Sequence, residues 1–501
     1  MSLASAQPAS FSVSGDPSTF EPVPSISSNT ITNLHVQGDS LWVGPRFSLT
    51  TNSGASWQQA VVDSVSNGRG RVFSIDVEGD VIWAGLGFDQ RTDGAGGVDF
   101  VPTTLGFAVS EDGGRSWQYR FPPLDTQADS VVQYGVTLLP ALPVVVPQQS
   151  PPWDIDYDPV NDQLWSAGWA SGLRRSSDGG LTWQRMVLPP DSVDEIRPDR
   201  FYNFIYTPRQ EQGLESQTFN FSSFAVLIDE EGTAWAGSAG GFNRSLNPEV
   251  EFPTWRRFEH TGTPDGLIGN WIISIEEQPL PGRNPVWATN WPANGDTEQF
   301  GAIVTRDGGE TIEQVLIGEK LYDFAFDGET VYAAGDSGVF ISSDGGLTWR
   351  TASYFGPDTR PDIIAFSVAV TPGGVWAGTN DGLFRSTDGG FNWTAIRADV
   401  SLSDGPDGEA VEAYAYPNPF SPATDGLTRF RFESNDGSAT LRILDFNMNL
   451  VREVTRSGGA GVQEFSWNGI DDRGAQVANG VYFYSIESGG DRFWGKLLVI
   501  E

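Results

Sequence analysis

Cysteine is absent from all 501 residues, which excludes disulfide scaffolds, thiolate metal sites and cysteine nucleophiles together. Histidine is almost absent, and His35 and His260 alone give no support to a histidine-based triad or a three-histidine zinc site. Lysine is reduced to Lys320 and Lys496, the other 28 basic residues being arginine. Positive charge is scarce overall: 30 basic against 65 acidic residues give a net charge of −35, which argues against nucleic acid or an anionic membrane surface as partner. No run of 18 apolar residues occurs, so no segment reads as a membrane span. A phosphate-binding glycine loop in strand-to-helix context is missing as well. An acidic surplus with little lysine keeps a surface hydrated in concentrated salt; the composition fits a halophilic protein or an ordinary acidic secreted one.

What is abundant is aromatic and glycine content. Eighteen Trp, 12 Tyr and 31 Phe supply packing, while 59 Gly and 32 Pro punctuate the chain too often for long helices. The fold class is therefore all-β. At the start, Ala4-Ser-Ala6 before Gln7 has the small-x-small spacing of a signal cleavage site, and residues 1–24 read as an N-terminal tail or signal remnant.

Internal repetition organises the chain up to residue 400. Four segments fit SxDGGxxW, with key residues Ser110, Asp112, Gly114 and Trp117; Ser176, Asp178, Gly180 and Trp183; Ser342, Asp344, Gly346 and Trp349; and Ser386, Asp388, Gly390 and Trp393. Two more are degraded: Asn52 replaces the Asp in Thr50–Trp57, and Ile312 replaces the Trp in the copy carrying Asp307 and Gly309. Seven alternating strands ending in Trp-Ala-Gly or a variant form a second element, at Trp42, Trp83, Trp165, Trp235, Trp287, Tyr332 and Trp376. The last two lie 44 residues apart, as do Trp349 and Trp393, the length of one four-stranded blade. A lone blade exposes two apolar faces, so seven must stack radially around a channel. In the box itself, the hydroxyl and carboxylate accept nearby backbone N–H groups, the glycines supply positive φ, and the Trp packs between blades. A turn repeated blade after blade reads as structural rather than as a calcium loop.

These boxes resemble those of the Asp-box (BNR) β-propellers, a group that includes sialidases, xyloglucanases, sortilin-like receptors and photosystem assembly factors. The resemblance implies a seven-bladed propeller over residues 25–400 and identifies function only loosely. Residues 401–413 read as an Asp-, Gly- and Ser-rich linker. Residues 414–501 follow with five alternating runs expected to form an immunoglobulin-like sandwich. Tyr416-Pro-Asn-Pro-Phe420, Trp467–Gly474, Asn479–Tyr484 and Lys496–Glu501 make this module similar to type IX secretion sorting domains and to flagellar hook-cap Ig-like domains. That similarity implies export across the outer membrane by secretion machinery engaging the C-terminal domain, and a surface or extracellular location.

For chemistry, the densest acidic group is Asp154-Ile-Asp156-Tyr-Asp158, where period-2 alternation puts three carboxylates on one strand face. Asp154 and Asp156 are the candidates for an acid–base pair or for a calcium ion, against the plainer reading of an acidic strand edge. Trp153, Trp271 and Trp291, near strand starts, are candidates for stacking on sugar rings or for core packing. The sialidase Arg-Ile-Pro motif is not matched, and the tandem propellers of xyloglucanases have no counterpart. The expectation is a surface propeller that binds a glycan or a cell-surface protein without a required cofactor. The alternative is a glycoside hydrolase using loop carboxylates.

Overall fold

The computed structural model describes residues 12–13, 20–60, 70–94, 97–207, 218–293, 295–356, 358–398, 413–434 and 438–500. Ala4–Gln7 and residues 401–412 of the expected linker lie outside the described residues. The chain divides into two compact units, one of Met1–Ser353 with Ile364–Ala398, the other of Tyr354–Ile363 with Asp399–Glu501.

The first unit is a propeller of seven antiparallel blades, each with four strands consecutive in the chain. Their inner strands are Leu34–Gln37, Arg71–Glu78, Asp154–Asp158, Ser223–Ile228, Ile275–Glu277, Leu321–Asp327 and Ala365–Thr371. Each inner strand packs beside the next, and that of blade 7 returns to that of blade 1. The ring is closed by the segment before blade 1: Ile31 N–H donates to Thr379 O at 2.9 Å, and Gly382 N–H to Asn29 O at 2.7 Å. Three blades carry a fifth, outer strand: Phe20–Val23 on blade 1, Ser12–Val13 on blade 2 and Glu195–Ile196 on blade 4. Parts of the segment read from sequence as a tail are thus sheet, because the outermost strand of a blade offers an unpaired edge.

The two repeated elements meet across blades. A Cβ added to the second box glycine would lie 3.1 Å from Trp42 at Gly114, 3.2 Å from Trp83 at Gly180, 3.0 Å from Trp235 at Gly309, 2.5 Å from Trp287 at Gly346 and 3.1 Å from Trp376 at Gly54. Each glycine therefore seats on the Trp-Ala-Gly tryptophan of the preceding blade, and the 7-to-1 joint repeats the contact. Inside the box, Ser176 Oγ donates to Asp178 at 2.8 Å and accepts Gly180 N–H at 2.9 Å, with matching bonds at Ser110, Ser342 and Ser386. Blade 4 carries a box not recognised in the sequence. Ser245 Oγ donates to Asn247 at 3.2 Å and Asn247 accepts Thr254 N–H at 3.0 Å, with three extra residues looped out before Trp255.

Arginine has a structural task here that lysine cannot perform. Arg120 donates to Gly179 O at 2.7 Å, Arg175 to Val250 O at 2.8 Å, Arg306 to Gly345 O at 2.5 Å and Arg385 to Ser53 O at 2.8 Å. Arg244 reaches Gly308 O and Arg350 reaches Gly389 O in the same way. At six blade joints a guanidinium fork binds box-turn carbonyls of the following blade, and a single ammonium lacks that spread of donors.

The insertion after blade 2 forms a hairpin, Val131–Tyr134 with Thr137–Pro140. Leu139 and Tyr134 are buried with Trp165 and Trp255 of blades 3 and 4, while Leu138 stays exposed.

The second unit is a two-sheet sandwich. Ala413–Tyr416, Thr428–Ser434 and Gly461–Trp467 form one sheet, and Leu450–Ser457, Ser438–Leu444, Gly480–Ser488 and Asp491–Val499 the other. Phe430, Phe432, Phe465, Trp467, Tyr484 and Leu497 are buried between them. Two of these strands, the first and Leu450–Ser457, were not expected from the sequence: the first is short, and the second has only half-buried or exposed positions. Asp358, from the segment between blades 6 and 7, accepts Arg456 at 2.6 Å and Ser466 Oγ at 2.9 Å within this unit.

Candidate functional site

An inner propeller strand is a sheet edge, and its outward N–H groups have no strand to pair with. In this protein aspartates supply the missing acceptors. Asp76 of blade 2 accepts Tyr157 N–H of blade 3 at 2.8 Å, and Asp154 and Asp156 of blade 3 accept Val226 and Ile228 N–H of blade 4 at 2.9 and 3.1 Å. Asp323 of blade 6 accepts Val368 N–H of blade 7 at 3.0 Å. Three of them also cap the next N–H of their own strand: Asp76 at Val77, Asp154 at Ile155 and Asp323 at Phe324. Asp158, the third carboxylate of the sequence cluster, is buried in the following turn and accepts Val160 N–H at 2.9 Å and Asn161 N–H at 3.2 Å.

Register shows why these groups gather. One inner-strand residue of each blade pairs with the aromatic of the second repeated element: His35, Asp76, Asp156, Leu227, Glu276, Ala325 and Ala369 in blade order. Polar groups thus occupy this level on blades 1, 2, 3 and 5, and apolar ones on 4, 6 and 7. His35, Asp76, Asp154, Asp156 and Glu276 line one cavity of about 870 Å³.

Enclosure sets the charge state of this cavity, since burial disfavours an ionised carboxyl more than its hydrogen bonds restore it. Burial pushes Asp76 up to about 6 against the bonds from Tyr157 and Val77. It pushes Asp154 up to about 7, opposed by the Val226 and Ile155 N–H groups and assisted by the charges of Asp76 and Asp323. Asp323 is likewise raised to about 7 by burial. Asp156 and Glu276 are raised well above the carboxylate range by burial and by the surrounding acids. Burial also lowers His35 to about 4, outweighing the attraction of Glu78, so its imidazole is neutral at pH 7.

The aromatic candidates lie toward the opposite, leading ends of the inner strands. Trp153 meets Phe73 edge-on at 5.3 Å. Trp271 packs on Trp169 at 5.7 Å and on Phe224 at 5.6 Å, and Trp169 meets Phe224 at 5.3 Å. Trp291 meets Tyr322 at 5.5 Å, donates its indole N–H to Leu321 O at 2.7 Å and carries Lys320 Nζ 4.5 Å from its ring. Tyr322 continues to Phe366 at 5.5 Å. All eight rings are half-buried, forming a broken belt from blade 2 to blade 7.

The structure therefore joins Asp154 and Asp156 to partners that sequence reasoning missed: His35, Asp76, Glu276 and Asp323. Each missed residue lies in a different repeat from Asp154 and Asp156, and although Asp76 heads its own run with Glu78 and Asp80 and Glu276 adjoins Glu277, local clustering gives no sign that any one of them meets that pair. Its position opposite the Trp or Tyr of the next strand is the signal that finds His35, Asp76 and Glu276. Among the described residues no three His, Asp or Glu side chains are grouped to hold a metal ion, and no helix is long and apolar enough to cross a membrane.

A family model for the FlgD Ig-like domain matches residues 419–491. No curated protein matches the chain. Among solved structures, the chain is similar to PorZ of Porphyromonas gingivalis, described as an essential bacterial surface component of the type-IX secretion system, at 13% identity and a TM-score of 0.40. That likeness covers 94% of this chain and 66% of PorZ, so the chain spans just under two thirds of that protein. It is also similar to YCF48 from Cyanidioschyzon merolae, at 16% identity, a TM-score of 0.41 and coverage of 73% and 97%. An ancestral GH74 enzyme shares 13% identity at a TM-score of 0.27, over 95% of this chain and 78% of that one. No residue role passes from likenesses this distant.

Proposed function

We propose that this protein is a glycan-binding propeller acting outside the cell, with the aromatic belt as its binding surface. The observation that carries this reading is the Trp169–Phe224–Trp271 group, three half-buried rings fixed by mutual contacts of 5.3 to 5.7 Å. Rigid, partly exposed rings cover the apolar C–H faces of sugars at low entropic cost. Phe73 and Trp291 are less available, because Arg71 and Lys320 already sit over them. The channel aspartates support binding rather than catalysis: Asp154 and Asp156 are engaged by backbone N–H groups of the next blade, which lowers their value as nucleophile or base. The C-terminal sandwich, with its Tyr416–Phe420 and Lys496–Glu501 segments, supports export and a surface location.

Titration of the full chain with neutral oligosaccharides, read by calorimetry, tests the reading. Saturable binding is expected, weakened about tenfold or more by Trp169→Ala or Trp271→Ala. Absence of saturation across a broad neutral panel counts against it. A hydrolase remains the second reading because of Glu276, a carboxyl raised by burial and by the surrounding acids and of the kind that serves as a general acid. Cleavage products seen by mass spectrometry, and lost in Glu276→Gln, would replace binding with hydrolysis.

A further inference from the structure

Of the two lysines in the chain, Lys320 alone belongs to the propeller. It directly precedes the inner strand of blade 6, and its Nζ lies 4.5 Å from the Trp291 ring, 5.3 Å from Tyr322 and 5.9 Å from Phe300. The three rings hold one another in place, Trp291 meeting Tyr322 edge-on at 5.5 Å and Phe300 edge-on at 6.0 Å. Asp336 N–H donates to Lys320 O at 3.1 Å and fixes the backbone at the same point.

The arginines at the blade joints are spent on box-turn carbonyls, but Lys320 is not spent in any such way. Among the described residues no ion pair or hydrogen bond engages its Nζ, in a chain with 65 acidic residues. The side chain is half-buried, and its Nζ, unlike the sealed guanidinium nitrogens of Arg174 and Arg185, keeps accessible surface. The rings cover it from the protein side, so its open side faces away from them. An ammonium packed on rings gives up part of its water shell for cation–π attraction, and its N–H donors stay available to an acceptor of opposite charge. The cage is also continuous with the belt. Trp271 N–H donates to Trp291 O at 3.0 Å and Trp291 N–H to Trp271 O at 2.7 Å, so the caged ammonium adjoins the Trp169–Phe224–Trp271 group.

We propose that the glycan bound on the belt is an acidic one, its carboxylate or sulfate accepting from Lys320 Nζ while a neighbouring sugar ring lies on Trp271. Resting on the glycan-binding reading, this assigns the class of glycan. Lysine is a point charge that imposes no fork, so carboxylate and sulfate suit it alike. The net charge of −35 opposes the approach of an anion. At about 0.1 M salt that field is screened beyond about 10 Å, whereas an ammonium in contact with its anion is screened far less.

The test is calorimetric titration of the full chain at about 0.1 M salt with matched pairs: oligogalacturonides against their methyl esters, and sulfated galactan oligosaccharides against desulfated ones. The acidic member of at least one pair is expected to bind about tenfold tighter or more than its neutral partner, and the pair that shows the gap tells carboxylate from sulfate. Lys320→Met, which keeps length and apolar packing, is expected to erase the gap, and Lys320→Arg to keep most of it. In the unmodified chain the gap is expected to shrink at about 1 M salt, a readout that needs no variant. Equal binding of acidic and neutral members overturns this proposal and leaves the glycan reading intact. A gap that survives in folded Lys320→Met protein, or that ignores salt, overturns it as well, because the charge is then read elsewhere or not read at all. No saturation with any member overturns the glycan reading itself, and the proposal with it.

Discussion

Asp154 shows how one side chain serves packing and charge at once. Its carboxylate caps two edge N–H groups, so Asp154→Ala leaves both without an acceptor and is expected to cost about 2–4 kcal/mol in chemical denaturation. Asp154→Asn keeps one acceptor oxygen and removes the titration. The sign of that titration follows from the raised value: between about pH 4 and about pH 7 the folded protein holds a proton that the unfolded chain releases. This contribution to stability is complete below the ordinary carboxyl value and is lost as pH rises toward 7. Melting curves from pH 5 to 8 should therefore be flatter for Asp154→Asn than for the unmodified chain, and an equal slope would refute the assignment. Box aspartates behave oppositely. The Thr348 and Ser342 bonds hold Asp344 down to about 2, so its contribution persists above pH 4 and fades only as pH falls toward 2. The role of Asp154 was half legible: its alternation with Asp156 was visible, but its acceptor task depends on a strand 72 residues away.

At the scale of the element, the tryptophan and box glycine of successive blades form the repeating joint. Gly346 has a φ of +92°, and an added Cβ would lie 2.5 Å from the Trp287 ring. Gly346→Ala is expected to destabilise by about 2–4 kcal/mol, combining left-handed strain with overpacking. Gly328→Ala isolates the backbone part, since Gly328 is also left-handed, at +57°, with nothing within 4 Å of the added Cβ. Its cost should be about 1–2 kcal/mol in the same denaturation series. Both motifs were plain in the sequence because they recur at fixed spacing. Their contact with each other was not, since the spacing of repeats is silent on which face of one blade meets the next. Blade 4 was the hardest to read: its box keeps Ser245, Asn247, Thr254 and Trp255 but breaks the spacing, while the bonds survive the insertion.

For the whole molecule, the raised channel carboxylates and the net charge of −35 act in the same direction. The melting temperature at low salt should be higher at pH 5 than at pH 8. Salt of about 1 M should narrow the gap by screening the surface repulsion while leaving the buried part. A gap that is absent at low salt would contradict the charge states assigned to the channel. Export belongs to this scale too. A chain ending before Ala413 should retain the propeller's melting transition yet fail to appear in the medium or on the surface of a host with a type IX pathway, by immunoblot of cell fractions.

The sequence by itself determined the all-β class, the seven-fold repeat, the turn chemistry of the boxes and the Ig-like character of the C-terminal unit, because hydrogen-bonding turns and alternating strands are local and periodic. Tertiary structure alone decided that His35, Asp76, Glu276 and Asp156 meet in one cavity and that Arg174 and Arg185 converge on Asp125. Ring closure brings together residues from different repeats, and burial, which no single repeat possesses before the blades stack, then fixes their charge.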